Sequence, residues 1–295
     1  MKALSLVILL IFLGVIAGGT ILESSAVMKN FDRSRSDFRE REKMKELLDM
    51  IVRDFDYLIN TDADYEHHPV LESIRSEYTA YSLTIKDISS GCNLNFLPDS
   101  DLSDSVMASF LFAEGNADEF IRFRRYNGFV TDIFEWQRFL KEEALSAVVC
   151  YGWFSSLHND AEIERMLSAS YGRSGEELYP LMNDMPLINV NTMDTSIIAP
   201  LLSRRSWNIN GAATKAAALK SRLEHGPITQ RELQTLLELA ENHDVFRYLG
   251  VRTAFWSIFF HNGRYVMNAI IAAIPERGGK EILRYSIIEG RLSRV

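Results

Sequence analysis

The side chains of this sequence that could ligate a metal or act as nucleophiles are few and scattered. His67 and His68 are neighbours, so in an extended segment they point to opposite faces and do not favour a shared ion. Cys92 and Cys150, the only cysteines, cannot form a zinc ribbon or an iron–sulfur cluster by themselves; one disulfide and two separate buried thiols are the alternatives. Phosphate-loop, dinucleotide-binding, HExxH and GxSxG motifs are absent. We therefore predict a protein without enzymatic activity, against the alternative of an anchored enzyme.

Two acidic runs, residues 62–64 and 99–104, could help to bind calcium. Neither run has the DxDxDG pattern of an EF-hand loop, and aspartates are common in the first turn of solvated helices. We therefore expect no cofactor and interpret both runs as solvated, with calcium as the alternative.

Two segments, residues 93–95 and 189–191, each place asparagines two positions apart around an apolar residue, just before a helical pattern. In an extended segment the two amides of a pair face the same way, where they can bond the backbone of a turn or cap the following helix. Thr192 continues the second segment toward Asp194, which makes a good helix start. This pattern favours a structural role for the asparagines over contact with a ligand.

The elements that carry these residues begin with an apolar segment. Residues 3–22 contain no charged side chain and are long enough to cross a hydrocarbon core of about 30 Å. Lys2 before the segment and Glu23 after it predict, by the positive-inside rule, a cytoplasmic N-terminus and a body on the other side. A cleaved signal peptide, with small residues at 17–19 or 24–26 as cleavage sites, is the alternative. The side chains expected to contact the membrane are Leu4, Leu6, Ile8, Leu10, Ile11, Leu13 and Ile16.

Helical and extended patterns alternate along the rest of the chain. Apolar residues between Val27 and Ile59 recur at spacings of mostly three, four or seven, which predicts an amphipathic helix continuing from the apolar segment. A loop at 61–68 and a short helix precede a strand of alternating pattern at 81–86, closed by a turn at 87–91.

Beyond Pro98 the pattern is helical, with helices expected over 129–149, 160–170, 195–202, 212–223 and 229–241 among others. After Gly250 the period returns to two, and turns at 261–263 and 276–279 predict a three-stranded antiparallel meander. The predicted fold class is α+β. Its expected parts are an N-terminal helix (1–60), the first part of a sheet domain (61–98), an inserted helical domain (99–245) and the strands that complete the sheet (246–295).

Composition excludes several classes of protein. The chain has 295 residues, 47% of them hydrophobic, with 40 acidic against 32 basic side chains. These are the proportions of a globular protein with one large or two modest domains, and they exclude a disordered or polytopic membrane protein. The net charge of -8 disfavours a nucleic-acid partner, because phosphate neutralisation needs an excess of Lys and Arg.

Four segments of the sequence, taken in order, carry a resemblance: the apolar N-terminal segment, IKDISSGCNLNFL, LINVNTMDTSIIAPLL, and LGVRTAFWSIFF with the strands that follow it. Together they resemble general secretion pathway protein K, the large minor pseudopilin of type II secretion systems. The Gly-x-apolar-Asn-Leu-Asn segment of the family corresponds to residues 91–95, which have one position fewer and Cys92 in the apolar place. Its Ile-Asn-x-Asn-Thr motif corresponds to 188–192, and its Ser/Thr-x-aromatic-Phe motif to 253–256, with Trp256 in the last place. The residues that carry the resemblance are Gly91, Asn93, Leu94, Asn95, Ile188, Asn189, Asn191, Thr192, Thr253, Phe255 and Trp256.

The resemblance implies a pilin-like fold, in which a long N-terminal helix lies on a small antiparallel sheet and a large all-α domain with helix-hairpin-helix-like units is inserted. It implies a single-pass protein of the inner membrane with its body in the periplasm. The implied role is to cap or initiate the pseudopilus tip and so to support protein export. The implied partners are other minor pseudopilins, the major pseudopilin and the inner-membrane assembly platform.

Three features depart from the family or distinguish its K members. No basic leader ending in Gly stands before the apolar segment in this sequence; either the true start lies upstream or processing differs, so leader cleavage is not carried over to this chain. If Lys2 takes the first mature position, Leu6 takes the fifth, where most pilin-like proteins have Glu and the K members have an apolar residue. The family's Asp-Trp-apolar-Asp motif corresponds to residues 135–138, which lack the second acid, so its calcium ligands are not carried over either.

A membrane-anchored nucleic-acid-binding protein built on helix-hairpin-helix units is the alternative function. Such hairpins hold a phosphate with backbone amides at a Gly-apolar-Gly turn. Residues 203–208 have no such glycine pair. Arg204 and Arg205 are the candidates for phosphate contact there, and a solvated turn is the expected arrangement.

Overall fold

The computed structural model describes residues 33–128, 133–149, 172, 186, 188–275 and 282–294. The chain divides into two compact units between Asp49 and Met50. The predicted apolar span and its membrane-facing side chains, Leu4 to Ile16, lie outside the described residues. Among the helices that are described, none is both long and apolar enough to cross a membrane.

Helix α1 covers residues 33–55 and confirms the predicted amphipathic pattern in this range. Its buried side chains recur every three to four positions, which places them on one face of a helix. They are Met44, Leu47 and Leu48 in the first unit, and Ile51, Val52 and Phe55 in the second. The positions between them are mostly exposed and charged, and the pairs Glu40–Lys43 and Glu42–Lys45 form ion pairs along the exposed surface.

The second unit contains a four-stranded antiparallel sheet with the order β1-β6-β7-β8. The strands are β1 (Thr84–Asp87), β6 (Phe255–His261), β7 (Tyr265–Pro275) and β8 (Ile282–Arg294). The α+β class and the C-terminal meander are therefore confirmed. The first hairpin turn is held by Asn262, whose side-chain oxygen accepts hydrogen bonds from the amides of Arg264 and Tyr265. The second predicted turn, at 276–279, lies outside the described residues.

Strand β1 begins later than the alternating pattern predicts. Residues Thr79–Tyr81 form a 3-10 turn, and Ser82 adopts the left-handed region with a φ of 50°. This reversal ends the helical segment that includes α2 (Pro69–Glu77), so the extended backbone starts at Thr84.

Between β1 and β6 the described chain is mainly helical. The helices are α3 (Asp99–Leu102), α4 (Ser105–Leu111), α5 (Asn116–Asn127), α6 (Ile133–Gln137), α7 (Ile198–Leu202), α8 (Ala212–Leu223) and α9 (Gln230–Leu237). The helix expected over 129–149 is wrong after Gln137: a turn follows, then a β-bridge at Leu140, a 3-10 helix (Glu142–Ala147) and a strand (Val148–Val149). The helix expected over 229–241 ends early at Glu238, which has a φ of 51°. The helix expected over 160–170 lies outside the described residues.

Two further pairs of very short strands lie within this helical region. Strand β2 (Cys92–Asn93) pairs in parallel with β3 (Val148–Val149), and β4 (Ile188–Asn189) pairs in parallel with β5 (Leu249–Gly250). Two-residue strands leave no alternating pattern in a sequence, so hydrophobic periodicity could not predict them.

Candidate functional site

The two asparagine segments form the same kind of turn. The side-chain oxygen of Asn93 accepts a hydrogen bond from the amide of Asn95 at 3.0 Å. In the second segment the side-chain oxygen of Asn189 accepts from the amide of Asn191, also at 3.0 Å. An asparagine that bonds the backbone two positions further on is the side-chain mimic of a backbone turn. The predicted structural role of Asn93 and Asn189 is therefore confirmed.

Each turn is also tied to a distant strand in the same way. The amide that follows β2, that of Leu94, donates to the carbonyl of Val149 at 3.2 Å. The amide that follows β4, that of Val190, donates to the carbonyl of Gly250 at 2.9 Å. Each short parallel strand pair thus joins the start of one helical stretch to its end. The described helical region contains two such stretches, and the ends of each are joined in the same way.

Two glycines permit the close approach of these strands. A Cβ on Gly91 would lie 3.0 Å from Cγ1 of Val149 and 3.2 Å from the carbonyl oxygen of Ala147. A Cβ on Gly250 would lie 2.5 Å from Cγ of Pro186, which is too close for any side chain. A packing requirement therefore accounts for Gly91 in the first motif and for Gly250 in β5.

The two asparagines of the second segment do not face the same way, contrary to the expectation for an extended chain. Residues 190–193 turn, and Asn191 contacts a different part of the chain from Asn189. The Asn191 amide nitrogen donates to the carbonyl of Ile228 at 3.0 Å, and its oxygen accepts from the amide of Ile228 at 2.8 Å. Asn191 thus joins its turn to the segment just before α9, and Ile228 is buried there.

Asn189 reaches a buried polar cluster that joins four segments of the chain. Its amide nitrogen contacts the carbonyl oxygen of Asp64 at 2.9 Å, Oδ2 of Asp87 at 3.1 Å and Oγ1 of Thr253 at 2.8 Å. The segments are the loop after α1, the end of β1, the second asparagine turn and the stretch between β5 and β6. We call Asp64, Asp87, Asn189, Thr192, Arg252 and Thr253 the Asp87 cluster.

Asp87 is the acceptor at the centre of this cluster, with only 3% of its surface exposed. Its Oδ1 accepts from the amide of Ser89 at 2.6 Å. Its Oδ2 accepts from the hydroxyls of Thr253, at 2.7 Å, and of Thr192, in addition to Asn189. Burial raises the pKa of Asp87 to about 6, and these hydrogen bonds limit the rise by stabilising the carboxylate.

Asp64 and Arg252 form the charged pair of the cluster. Asp64 is fully buried; its Oδ2 accepts from the amide of Thr253 at 2.9 Å, and its Oδ1 lies 3.1 Å from Nη1 of Arg252. Burial raises the pKa of Asp64, and the Arg252 charge opposes this shift. Arg252 also donates to the carbonyl of Leu58 and to Oγ1 of Thr61, both at 3.0 Å. The expectation that residues 62–64 form a solvated acidic run is therefore wrong at Asp64.

The second acidic run is not solvated either. Asp101 is buried and forms an ion pair with Arg204, whose exposed fraction is 4%. Asp99 pairs with the buried Arg124 and with Arg125. Only Asp104 acts as expected, because its Oδ1 accepts from the amide of Val106 at 2.9 Å at the start of α4.

Two buried arginine side chains stabilise the helical region. Arg124 donates to the carbonyls of Leu94 and Leu97, each at 2.6 Å, and so satisfies backbone oxygens of the first asparagine turn. The guanidinium of Arg204 lies 4.0 Å from the ring centre of Trp207. The expectation that Arg204 belongs to a solvated turn is therefore wrong, because the side chain is enclosed by an acid and an aromatic ring.

The motif residues of the sequence lie close to these structural features. All eleven are buried except Asn191 and Thr192, which are half-buried. Thr253 belongs to the Asp87 cluster, and Phe255 and Trp256 begin β6. Trp256 packs edge-on against Phe55 of α1, with ring centres 5.9 Å apart, and Phe55 in turn contacts Tyr285 of β8 at 5.6 Å.

The sequence motifs did not identify the charged members of the cluster, Asp64, Asp87 and Arg252. Asp87 and Arg252 adjoin the motifs, but a single Asp or Arg beside a turn usually lies in solvent.

The candidate thiol and metal ligands lie elsewhere. Cys92 is buried, and burial raises the pKa of its thiol. The alternative disulfide involves Cys150, which lies outside the described residues. In the part of the chain that is described, no three His, Cys, Asp or Glu side chains are grouped so as to hold a metal ion.

No protein-family model matches the chain. No curated protein is significantly similar to it.

Proposed function

We propose that this chain is a non-enzymatic minor pseudopilin that resembles general secretion pathway protein K. It caps or initiates the pseudopilus tip of a type II secretion system, or of a related type IV pilus-like system. The observation that supports this most directly is the sheet topology. Strands β1 and β6 are neighbours, although both asparagine turns and the helices α3 to α9 lie between them in the sequence. A small pilin-like sheet with a large helical insertion requires this connection.

The motif positions support the proposal in a second way. The glycine, the two turn-forming asparagines and Thr253 each have a physical task at the junction between the helical region and the sheet. The resemblance therefore rests on residues whose exchange would disturb that junction. In the proposed arrangement residues 1–60, 61–98, 99–245 and 246–295 are the anchor helix, the first sheet part, the inserted domain and the completing strands.

The proposed place of action follows from the apolar N-terminal segment. Residues 3–22 would anchor the protein in the inner membrane, with the body in the periplasm, and would later enter the filament. In pilin-like proteins, an unpaired Glu at the fifth mature position would form an ion pair with the N-terminal amine of a neighbouring subunit. Leu6, which takes that position here, cannot form this pair. A subunit without that acid, carrying a bulky helical domain, suits the end of a filament. The proposed partners are other minor pseudopilins, the major pseudopilin and the assembly platform.

The nucleic-acid alternative loses one of its two candidate phosphate contacts. Arg204 is buried in an ion pair with Asp101, so its guanidinium is not available to a phosphate. Arg205 is exposed, but one arginine supplies little of the phosphate neutralisation that nucleic-acid binding needs. We therefore put forward no second function.

Affinity capture tests the proposal. The tagged full-length protein is isolated from its native cells in a mild detergent, and its partners are identified by mass spectrometry. We expect small proteins whose N-termini have the basic leader and apolar segment of pilins. Recovery of nucleic acid, or of no pilin-like partner, would contradict the proposal.

A pair of variants makes the capture specific to the anchor. Leu9→Arg places a charge in the centre of the apolar segment and should abolish recovery of the pilin-like proteins. Leu9→Met keeps the segment apolar and should recover them at the wild-type level. Equal recovery with both variants would show that the partners bind independently of the proposed anchor.

A further inference from the structure

The Asp87 cluster holds two buried carboxyl groups and a single guanidinium. Asp64 and Asp87 have exposed fractions of 0% and 3%, and of these two carboxyl groups Arg252 forms an ion pair with that of Asp64. Asp87 instead accepts hydrogen bonds from neutral donors. Its negative charge is therefore enclosed without a cation of its own, next to a second negative charge.

The hydrogen bonds around Asp87 can also accommodate an added proton on its carboxylate. The Thr192 hydroxyl donates to Oδ2 of Asp87, but its oxygen also lies 3.3 Å from the carbonyl oxygen of Asn189. When a proton from water binds Oδ2, the new O–H can donate to Oγ1 of Thr192. The Thr192 hydrogen then turns to the Asn189 carbonyl. The exchange needs rotation of one hydroxyl and no displacement of a heavy atom.

We propose that the Asp87 cluster is a proton-dependent clamp: uptake of one proton at Asp87 strengthens the junction at which the loop after α1, the end of β1, the second asparagine turn and the stretch between β5 and β6 meet. The protein then holds its helical region to its sheet more firmly in mildly acidic surroundings than at neutral pH. This inference depends on the cluster alone and stands whether or not the proposed function is correct.

Burial of Asp87 determines the sign of the effect, and the charged groups that face it change its size. Asp64, in the loop after α1, repels the charged form, whereas Arg252 neutralises Asp64 in part. Tyr285 of β8, which also lies near these carboxyls, has a pKa that burial raises far above neutrality, so it stays uncharged. His68, which faces Arg252, has a pKa that burial and the Arg252 charge lower, so its protonation opposes the gain from Asp87. Because the pKa of Asp87 is higher in the folded than in the unfolded chain, protonation favours the folded state, and stability rises as the pH falls through about 6.

The test is the pH dependence of stability of the full-length protein in mild detergent. With a folded pKa of about 6 and an unfolded value of 3.8, the unfolding equilibrium constant should fall about tenfold between about pH 7.5 and about pH 5. Asp87→Asn should lose most of this gain. Asp62→Asn, which changes an exposed carboxyl in the same loop as Asp64, should keep it. An Asp87→Asn protein with the full wild-type gain would overturn the proposal.

A second measurement does not need a variant that folds. Infrared spectra of wild-type protein labelled with ¹³C-aspartate distinguish a protonated carboxyl from a carboxylate. We expect one aspartate to protonate with a midpoint near pH 6, well above the exposed carboxyls, while the circular dichroism spectrum stays native. If every aspartate protonates in the pH range of exposed carboxyls, Asp87 takes up no proton near pH 6 and the proposal is overturned.

Discussion

Replacement of Arg252 by Met should destabilise the second unit strongly. Arg252 is the one cation of the Asp87 cluster, and 23% of its side chain is exposed. Methionine has a similar length, so it fills much of the same space while removing the charge and all the hydrogen bonds. The change therefore isolates the polar contribution of this side chain from its packing.

The magnitude follows from what the substitution leaves behind. Asp64 is fully buried and would lose Arg252, its one ionic partner among the described residues, and removing one partner of a buried pair costs about 3 to 5 kcal/mol. The carbonyl of Leu58 and the hydroxyl of Thr61 would also lose a donor. Protonation of Asp64 would relieve part of the cost. The loss should therefore be largest at neutral pH and smaller in mild acid, where the carboxyl gains a proton.

Urea unfolding at two pH values measures both parts of this prediction. The matched control is Arg53→Met, the same substitution at an exposed position of α1, which should change stability by less than about 0.5 kcal/mol. A loss below about 1 kcal/mol at neutral pH would refute the assignment of Arg252 as the partner that stabilises Asp64. An equal loss at both pH values would refute the electrostatic explanation.

Three other substitutions test separate features. Asn191→Ala removes both hydrogen bonds to the buried backbone of Ile228 and should lower the free energy of unfolding by about 2 kcal/mol, measured by urea titration. Gly250→Ala places a Cβ 2.5 Å from the Pro186 ring and should lower the melting temperature, at a cost of about 1 to 3 kcal/mol. Leu9→Arg should weaken membrane retention in cell fractionation, since a central charge costs roughly 2.5 to 3.5 kcal/mol on insertion scales.

Each of these has a control that preserves the rest of the site. Asn242→Ala replaces an exposed asparagine of a turn, so it should cost less than Asn191→Ala. Gly290→Ala, the same substitution at an exposed position of β8, should leave the melting temperature close to that of the wild type, so it separates a steric effect at Gly250 from the effect of adding a methyl group to a strand glycine. Leu9→Met should fractionate as wild type does. A wild-type melting temperature for Asn191→Ala or Gly250→Ala would remove the proposed contact as a source of stability.

The sheet was predictable where local pattern and local turn chemistry agree. The β6–β7 hairpin has alternating burial, and Asn262 and Gly263 lie at its turn. Residues that are close in the sequence are therefore enough to predict this hairpin. The late start of β1 was not predictable, because Ser82 takes a left-handed conformation that its residue type does not require. Similarly, α9 ends at Glu238 in that conformation, although the helical pattern continues.

The asparagine turns were predictable only in part, since their partners are remote. The bond from Asn189 to Asn191 spans two residues and follows from the residue type. The bond from Asn191 to Ile228 spans 37 residues, and that from Thr253 to Asp87 spans 166. A sequence pattern predicts that an asparagine will bond a nearby backbone, but it cannot select one buried acceptor among many that are distant.

The buried charges explain why both acidic runs were misinterpreted. An aspartate before a helix is usually solvated, and the prediction assumed this for Asp64 and Asp101. In the structure each of them is matched by an arginine from far along the chain, Arg252 and Arg204 respectively. Such pairs add little stability over apolar residues of similar volume, but the loss of either partner is costly, so they favour one arrangement of the segments over others. In this protein they occur where the helical region meets the sheet and where its two closed segments adjoin. A protein whose proposed task is to present a bulky helical domain at the end of a filament needs that domain held in a fixed arrangement, and these pairs, with the asparagine turns, are the contacts that hold it.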